Sequence, residues 1–188
     1  MRVIAGQYRS RVLVAPKGRD TRPTSDRLRE TLFNVLAPHV EGAVFVDLYA
    51  GSGAVGIEAL SRGAREAMFV EQAEPALKAV RANLDALGIR GGYALEPRSV
   101  AAVLKRLASA GRVADVVFLD PPYERADEYE AALGLLGGEC AGLLALNAVV
   151  VAEHAKKNDL AERYGELLRY RVLKQGDAAL SFYRLDRD

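Results

Sequence analysis

Residues 44–56, Val44-Phe-Val-Asp-Leu-Tyr-Ala-Gly51-Ser-Gly53-Ala-Val-Gly56, decide the fold. An apolar run carrying one acid, Asp47, meets three glycines spaced G-x-G-x-x-G. A helical stretch follows to about Arg62, with Gly63 beyond it. Strand, glycine loop and helix in that order make a βα turn whose backbone bends tightly and lies close to a ligand. Several classes of cofactor use this spacing, so it predicts a place for a ligand rather than its identity.

Working outward, the same alternation continues. Ala67–Val70 reads as a second buried strand ending at Glu71, and Pro75 opens a helix closed by Gly88. Residues 92–96 suit a third strand, Val100–Ala108 a helix, Ala114–Leu119 a fourth strand, 127–136 a helix and Ala148–Ala152 a fifth strand. Residues 167–174 and 178–185 alternate around Gln175-Gly176-Asp177, which predicts a closing antiparallel hairpin. Apolar strands alternating with helices predict an α/β fold: a mostly parallel sheet covered on both faces. Before Gly42 the texture differs. Residues 2–15 suit a short hairpin and 16–24 a loop. Thr24 or Ser25 can cap a helix that Pro38 should end. The expected division is a basic arm, residues 1–40, and a body, residues 41–188.

Charge separates these two parts. The first 40 residues hold eight Lys/Arg against three acids, and the remaining 148 hold 18 against 22. A basic arm on a mildly acidic body suits a polyanion partner, although a solvated arm has the same composition. Half of the 188 residues are hydrophobic, enough for one sizeable core. No apolar run reaches the roughly 18 residues of a membrane span, the N-terminus lacks a secretory h-region, and one cysteine permits no internal disulfide. A cytoplasmic monomer is the expectation. His39 and His154 lie far from other ligand types, so no metal site is expected.

Three acids carry the site. Asp47 lies four residues before the first glycine of the loop. An acid there is a poor neighbour for a pyrophosphate and a good one for a cation such as S-adenosylmethionine, though a structural acid bonded to the loop would look the same. Glu71, at the end of the second strand, can accept both hydroxyls of an adenosine ribose, a role shared with nicotinamide enzymes. The fourth strand ends in Val117-Phe-Leu-Asp-Pro-Pro-Tyr123. Two prolines remove two N–H donors. The carboxylate of Asp120, the carbonyl of Pro121 and the ring of Tyr123 remain as a set for a planar group bearing an NH2.

Asp/Asn-Pro-Pro-Tyr/Phe resembles the motif of methyltransferases that act on amino groups of nucleobases or glutamine. The whole chain resembles the bacterial 16S rRNA guanine-N2 methyltransferase family (RsmD type). The stretches that carry the resemblance are "TRPTSDRLRETLFNVL" (Thr21–Leu36), "DLYAGSGAVGIEALSRGA" (Asp47–Ala64), "FVEQ" (Phe69–Gln72), "VFLDPPY", "VVVAEH" (Val149–His154) and "GDAALSFY" (Gly176–Tyr183). The resemblance implies a Rossmann-like class I methyltransferase with a mostly parallel seven-stranded sheet that ends in an antiparallel hairpin. It implies S-adenosylmethionine held by Asp47, Gly51, Gly53, Glu71 and Ser99, with catalysis by Asp120, Pro121 and Tyr123. The expected partner is 16S rRNA or a small-subunit assembly intermediate, its phosphates met by Arg22 and Arg27. The target it implies is a guanine amine in the loop of helix 31. One departure stands out. Related chains often place Gly-Asp-Ala after the third strand; here Pro97-Arg98-Ser99-Val100 offers a hydroxyl, a weaker acceptor for the adenine amine than a carboxylate.

Three rivals remain. A DNA adenine-N6 or cytosine-N4 methyltransferase would need a larger target-recognition region. A nicotinamide-dependent oxidoreductase would need a catalytic pair after the fourth strand. A non-catalytic RNA-binding protein could hold S-adenosylmethionine only as a structural ligand.

Overall fold

The structure, a computed structural model, describes residues 1–16, 24–122 and 124–186. Helix α1 (Asp26–Val40) precedes β1 (Val44–Leu48), α2 (Ala54–Ser61), β2 (Glu66–Val70), α3 (Glu74–Ala86), β3 (Tyr93–Glu96), α4 (Val100–Ser109), β4 (Ala114–Leu119) and α5 (Ala126–Leu136). Four strands complete the chain: β5 (Leu144–Ala155), β6 (Arg163–Tyr164), β7 (Leu167–Gln175) and β8 (Ala178–Leu185). They form one sheet in the order β3-β2-β1-β4-β5-β8-β7-β6. The first five run parallel, and β6, β7 and β8 are antiparallel. The closing hairpin falls where it was expected. Among the described residues the sheet carries eight strands instead of seven, because Arg163 and Tyr164 add a two-residue edge beside β7. So short a strand has too little periodicity to be read from sequence. Helix α1 also runs past Pro38 to Val40. A proline in the last turn removes one N–H bond, and little helix lies beyond it.

All five residues of β1 are buried, as a central parallel strand requires. Alternation then sorts the side chains by face. Val46, Leu48, Val117, Leu119 and Val150 pack under α4 and α5. Phe45, Val116, Phe118, Val149 and Val151 pack under α1 and α2. Continuing the second series along β1, β4 and β5 reaches Asp47, Asp120 and Glu153. In register, Asp47 lies beside Phe118 and Leu119 beside Ala152. Three acids therefore emerge on one face at the carboxyl ends of three neighbouring strands.

The N-terminal segment folds onto the body. Arg2 bridges Val12, and Val3 and Leu13 are buried against a third apolar cluster with Ile57, Phe69 and Val80. Glu58 of α2 accepts the N–H groups of Ile4 and Ala5 at 2.8 and 3.0 Å. Asn83 of α3 exchanges two hydrogen bonds with Val14. Helix α1 is capped by Ser25, whose hydroxyl accepts from Leu28 N–H at 3.1 Å. That choice of cap leaves the neighbouring Thr24 hydroxyl for another task.

Candidate active site

The order of the sheet reverses between β1 and β4, and in open parallel sheets ligands lie outside the strand ends at such a point. A cavity of about 750 Å³ opens there, of the size that small-molecule sites have. Asp47, Gly51, Glu71, Ser99, Asp120 and Pro121 all lie on its wall. Six of the residues expected from sequence are thus brought together by four separate segments. Gly53 is not on the wall. With φ +79 it closes the turn behind the wall and caps α2. At Gly56 an added Cβ would come within 2.4 Å of the Phe69 ring, so glycine lets α2 lie against β2. Arg27 is exposed on α1, away from the cavity. Arg22 and Tyr123 lie outside the described residues.

Asp47 is buried, and its Oδ2 accepts the Gly56 N–H at 3.0 Å. Burial pushes its carboxyl up to about 7, the Gly56 bond opposes this, and the charge of Glu71 adds to it. Asp47 is therefore a structural acid bonded to the first turn of α2 and a cavity-wall acid at once. Glu71 accepts Gly51 N–H at 3.0 Å and Ala73 N–H at 2.8 Å. Those bonds tie the glycine loop to the start of α3 and fix the carboxylate on the wall. Ser99 caps α4, accepting from Ala102 N–H at 3.3 Å. The cap uses one of the two acceptor sites of that hydroxyl. Val100 and Ala101, the first two residues of α4, stand beside it on the wall.

At the other end, the Pro122 carbonyl accepts Arg125 N–H at 2.8 Å and closes the turn after β4. Tyr49 sits in the left-handed region at φ +63 and donates its hydroxyl to Glu128 Oε2 at 2.7 Å. Glu128 is also paired with Arg125 at 2.6 Å. This links the glycine loop to the start of α5 and braces the proline turn between them. A non-glycine residue at positive φ is an energetic cost that persists where a site requires it. Asp120 is held well above the usual carboxylate range, first by burial, then by the charges of Glu153 and Asp47, while the Thr24 hydroxyl opposes them. Thr24 Oγ1 stands 2.8 Å from Glu153 Oε2 and 3.5 Å from Asp120 Oδ2.

Two of these residues escaped the sequence reading. Thr24 was legible only as a possible cap. Glu153 had a signal, the alternation Val149, Val151, Glu153, which places an acid on the face of buried valines. His154 is buried; its Nε2 lies 2.8 Å from Ser181 Oγ, on the partner strand β8. Among the described residues no group of His, Cys, Asp or Glu is arranged to hold a metal ion, and no helix is long and apolar enough to cross a membrane.

The residues fit a cationic adenosine ligand. Two carboxyl groups with raised proton affinity mark a wall short of positive charge, which a sulfonium or ammonium would supply. Glu71 offers the acceptor a ribose diol requires. Comparison with known proteins identifies the family. A family model described as Conserved hypothetical protein 95 matches residues 1–184. Ribosomal RNA small subunit methyltransferase D of Escherichia coli (strain K12) is 38% identical over 184 residues, which is 98% of this chain and 89% of that protein. The protein of the same name from Haemophilus influenzae is 34% identical over 186 residues, covering 98% and 92%. The solved structure of Escherichia coli yhhF superposes with a TM-score of 0.84 at 34% identity, covering 98% of this chain and 97% of that one. A hypothetical protein from Thermus thermophilus gives 0.82 at 29%, covering 98% and 99%. Matched in this way from end to end, with the glycine loop and the proline turn on one cavity, the chain belongs to the RsmD-type family of class I methyltransferases.

Proposed function

We propose that the protein transfers a methyl group from S-adenosylmethionine to the exocyclic N2 amine of a guanine in 16S rRNA, in the loop of helix 31 of the small ribosomal subunit. The observation that carries this reading is the single cavity on which Asp47, Gly51 and Glu71 meet Asp120 and Pro121. The names of the relatives from Escherichia coli and Haemophilus influenzae support a small-subunit rRNA substrate. The choice of N2 and of helix 31 rests on the family resemblance.

When bound, S-adenosylmethionine supplies an electrophilic methyl group. Asp47, Gly51 and Glu71 would hold it, with the start of α4 beside the adenine. The chain's own task is to make a poor nucleophile attack. The lone pair of a guanine amine is delocalised into the ring. Acceptors at both N–H groups, the Asp120 carboxylate and the Pro121 carbonyl, localise that pair and fix its direction. The prolines and the Tyr49–Glu128–Arg125 brace hold these acceptors in place before the base arrives. Asp120 also stabilises the positive charge that develops on nitrogen. The base must first leave its stack, and the ring of Tyr123 would replace that stacking, worth about 1–3 kcal/mol. Arg27, with Arg22, would meet phosphates from the basic arm.

The test is incubation with methyl-labelled S-adenosylmethionine and, separately, small-subunit rRNA, assembled small subunits and DNA, followed by nucleoside digestion. Label in N2-methylguanosine from RNA is the expected result. Label in adenine or cytosine of DNA, or in no nucleic acid, overturns the proposal.

A further inference from the structure

Asp120 has company that amine recognition alone does not require. Glu153 of β5 is buried at 3% exposure and lies on the same sheet face, one strand away. The Thr24 hydroxyl stands between the two carboxylates, at the point where α1 begins to cover that face. Asp47 from β1 also acts on Asp120, and the other charged residues on the cavity wall are Glu71, Arg98, Glu124, Arg125 and Glu128. Arg125 is already paired with Asp127 and Glu128. Tyr129 of α5 donates to the backbone carbonyl of Glu153 at 2.7 Å and holds that strand end from the other side.

We propose that Glu153, held by Thr24, is a positioning residue that makes Asp120 a proton acceptor as well as a hydrogen-bond acceptor. The proposal rests on the amine-methylation reading given above. Attack by the amine lone pair forms the N–CH3 bond, and the S–CH3 bond breaks with its electron pair left on sulfur. Nitrogen then carries a positive charge and one proton too many. That proton passes to an Asp120 oxygen, the N–H pair returns to nitrogen, and the carboxylate becomes a neutral carboxylic acid. Solvent takes the proton before the next turnover. A carboxylate of ordinary basicity is a weak base for this step. The charge of Glu153 beside it raises the proton affinity of Asp120, and the short Thr24 bond keeps that charge in place.

The experiment combines two readouts on the full chain. The Asp120 carboxyl is titrated by carbon NMR in protein labelled at aspartate carboxyls, the resonance being assigned with Asp120→Asn. Single-turnover methyl transfer to small-subunit rRNA is followed against pH. In Glu153→Gln, Asp120 should titrate at lower pH than in the parent protein, and the acidic limb of the rate profile should move the same way. The rate on the alkaline side should fall about tenfold, part of the 10²–10⁴ that a general base contributes. The two profiles should therefore cross. Thr24→Val removes two opposing effects, the hold on Glu153 and the hydroxyl bond to Asp120 itself, so Glu153→Gln is the deciding variant. An Asp120 titration unmoved by Glu153→Gln overturns the proposal, as does a rate that falls equally at every pH. If the parent protein methylates no nucleic acid, the reading of the reaction fails, and the NMR titration still decides whether Glu153 governs Asp120.

Discussion

Two buried polar clusters flank helix α2, and they are built on opposite rules. In the first, Glu58 is fully buried between Arg62 at 2.8 Å and Arg29 at 3.9 Å, and it accepts two backbone N–H groups from the N-terminal segment. Arg29 is fully buried too, and its Nη2 donates to Asp26 and to the Arg2 carbonyl. Charges alternate in sign, and the cluster ties three segments together. Its imperfection is Arg29, whose Nε and Nη1 have no hydrogen-bond partner among the described residues and whose guanidinium is pulled down by burial. In the second cluster, Asp47, Asp120 and Glu153 gather like charges at the strand ends, and two of the three have raised proton affinity. Alternating charges hold a fold together. Like charges oppose folding and persist where a ligand or a reaction uses them.

The largest effect should come from breaking the first cluster. Glu58→Ala leaves the Arg29 charge buried without its principal counter-charge, a loss of about 3–5 kcal/mol for a broken buried pair. In a chain of this size that is a fall in Tm of roughly 6–20 °C. Urea and thermal unfolding measure it. A change below about 1 kcal/mol would show that Asp26 and the Arg2 carbonyl suffice, and the contrast would lose its structural half.

Next is Asp120→Ala in the second cluster. It should lower single-turnover methyl transfer about 10²-fold or more, roughly 2.7 kcal/mol of barrier. Binding of S-adenosylmethionine and the unfolding midpoint should hold or improve. Asp120→Asn should lose less, since its amide oxygen still accepts one bond. Full rate in a folded Asp120→Ala protein would reduce the proline turn to a rigid corner.

Asp47→Asn sharpens the same contrast by pulling affinity and stability apart. It removes the charge and keeps an acceptor for Gly56 N–H. Calorimetry should show S-adenosylmethionine affinity lower by about 1.5–3 kcal/mol, one to two decades. Unligated stability should respond in the other direction. The Asp47 carboxyl rises from 3.8 to about 7 on folding, so between those pH values the native state binds the proton that the unfolded chain releases. Stability contributed by this group is present at low pH and is lost as pH rises from about 4 to about 7. Asp47→Asn should remove that part of the slope and be the more stable protein at pH 8. Equal pH dependence in both proteins would show that Asp47 is compensated in the unligated state.

The smallest effect concerns the surface. Arg27→Ala should flatten the slope of log K against log salt for single-stranded RNA by about 0.7 and leave S-adenosylmethionine affinity unchanged. An unchanged slope would make the exposed side of α1 merely solvated.

Much of this was legible in the chain. The glycine loop, the acids at the ends of β1, β2 and β4 and the closing hairpin are local patterns, and local patterns survive without knowledge of the fold. Ser25 and Thr24 show where legibility stops. Both can cap a helix, and nothing in their own neighbourhood says which one does. Once Ser25 takes the cap, the use of Thr24 depends on acids 96 and 129 residues away. Ser99 makes a similar point: its type suggested a ligand contact, and only the fold shows that its hydroxyl also caps α4.

By itself, then, the sequence determined the order of the elements, the faces of the strands and the identity of the chemical groups at the strand ends, because periods of 2 and 3.6 residues and turn residues act over a few positions. Only the tertiary structure decided which groups share a volume and how deeply they are buried. Proton affinity follows from those two quantities. An aspartate at the end of β1 is an ordinary acid in the sequence. It becomes one held near 7 only when α2 and the neighbouring strands close over it and take the water away.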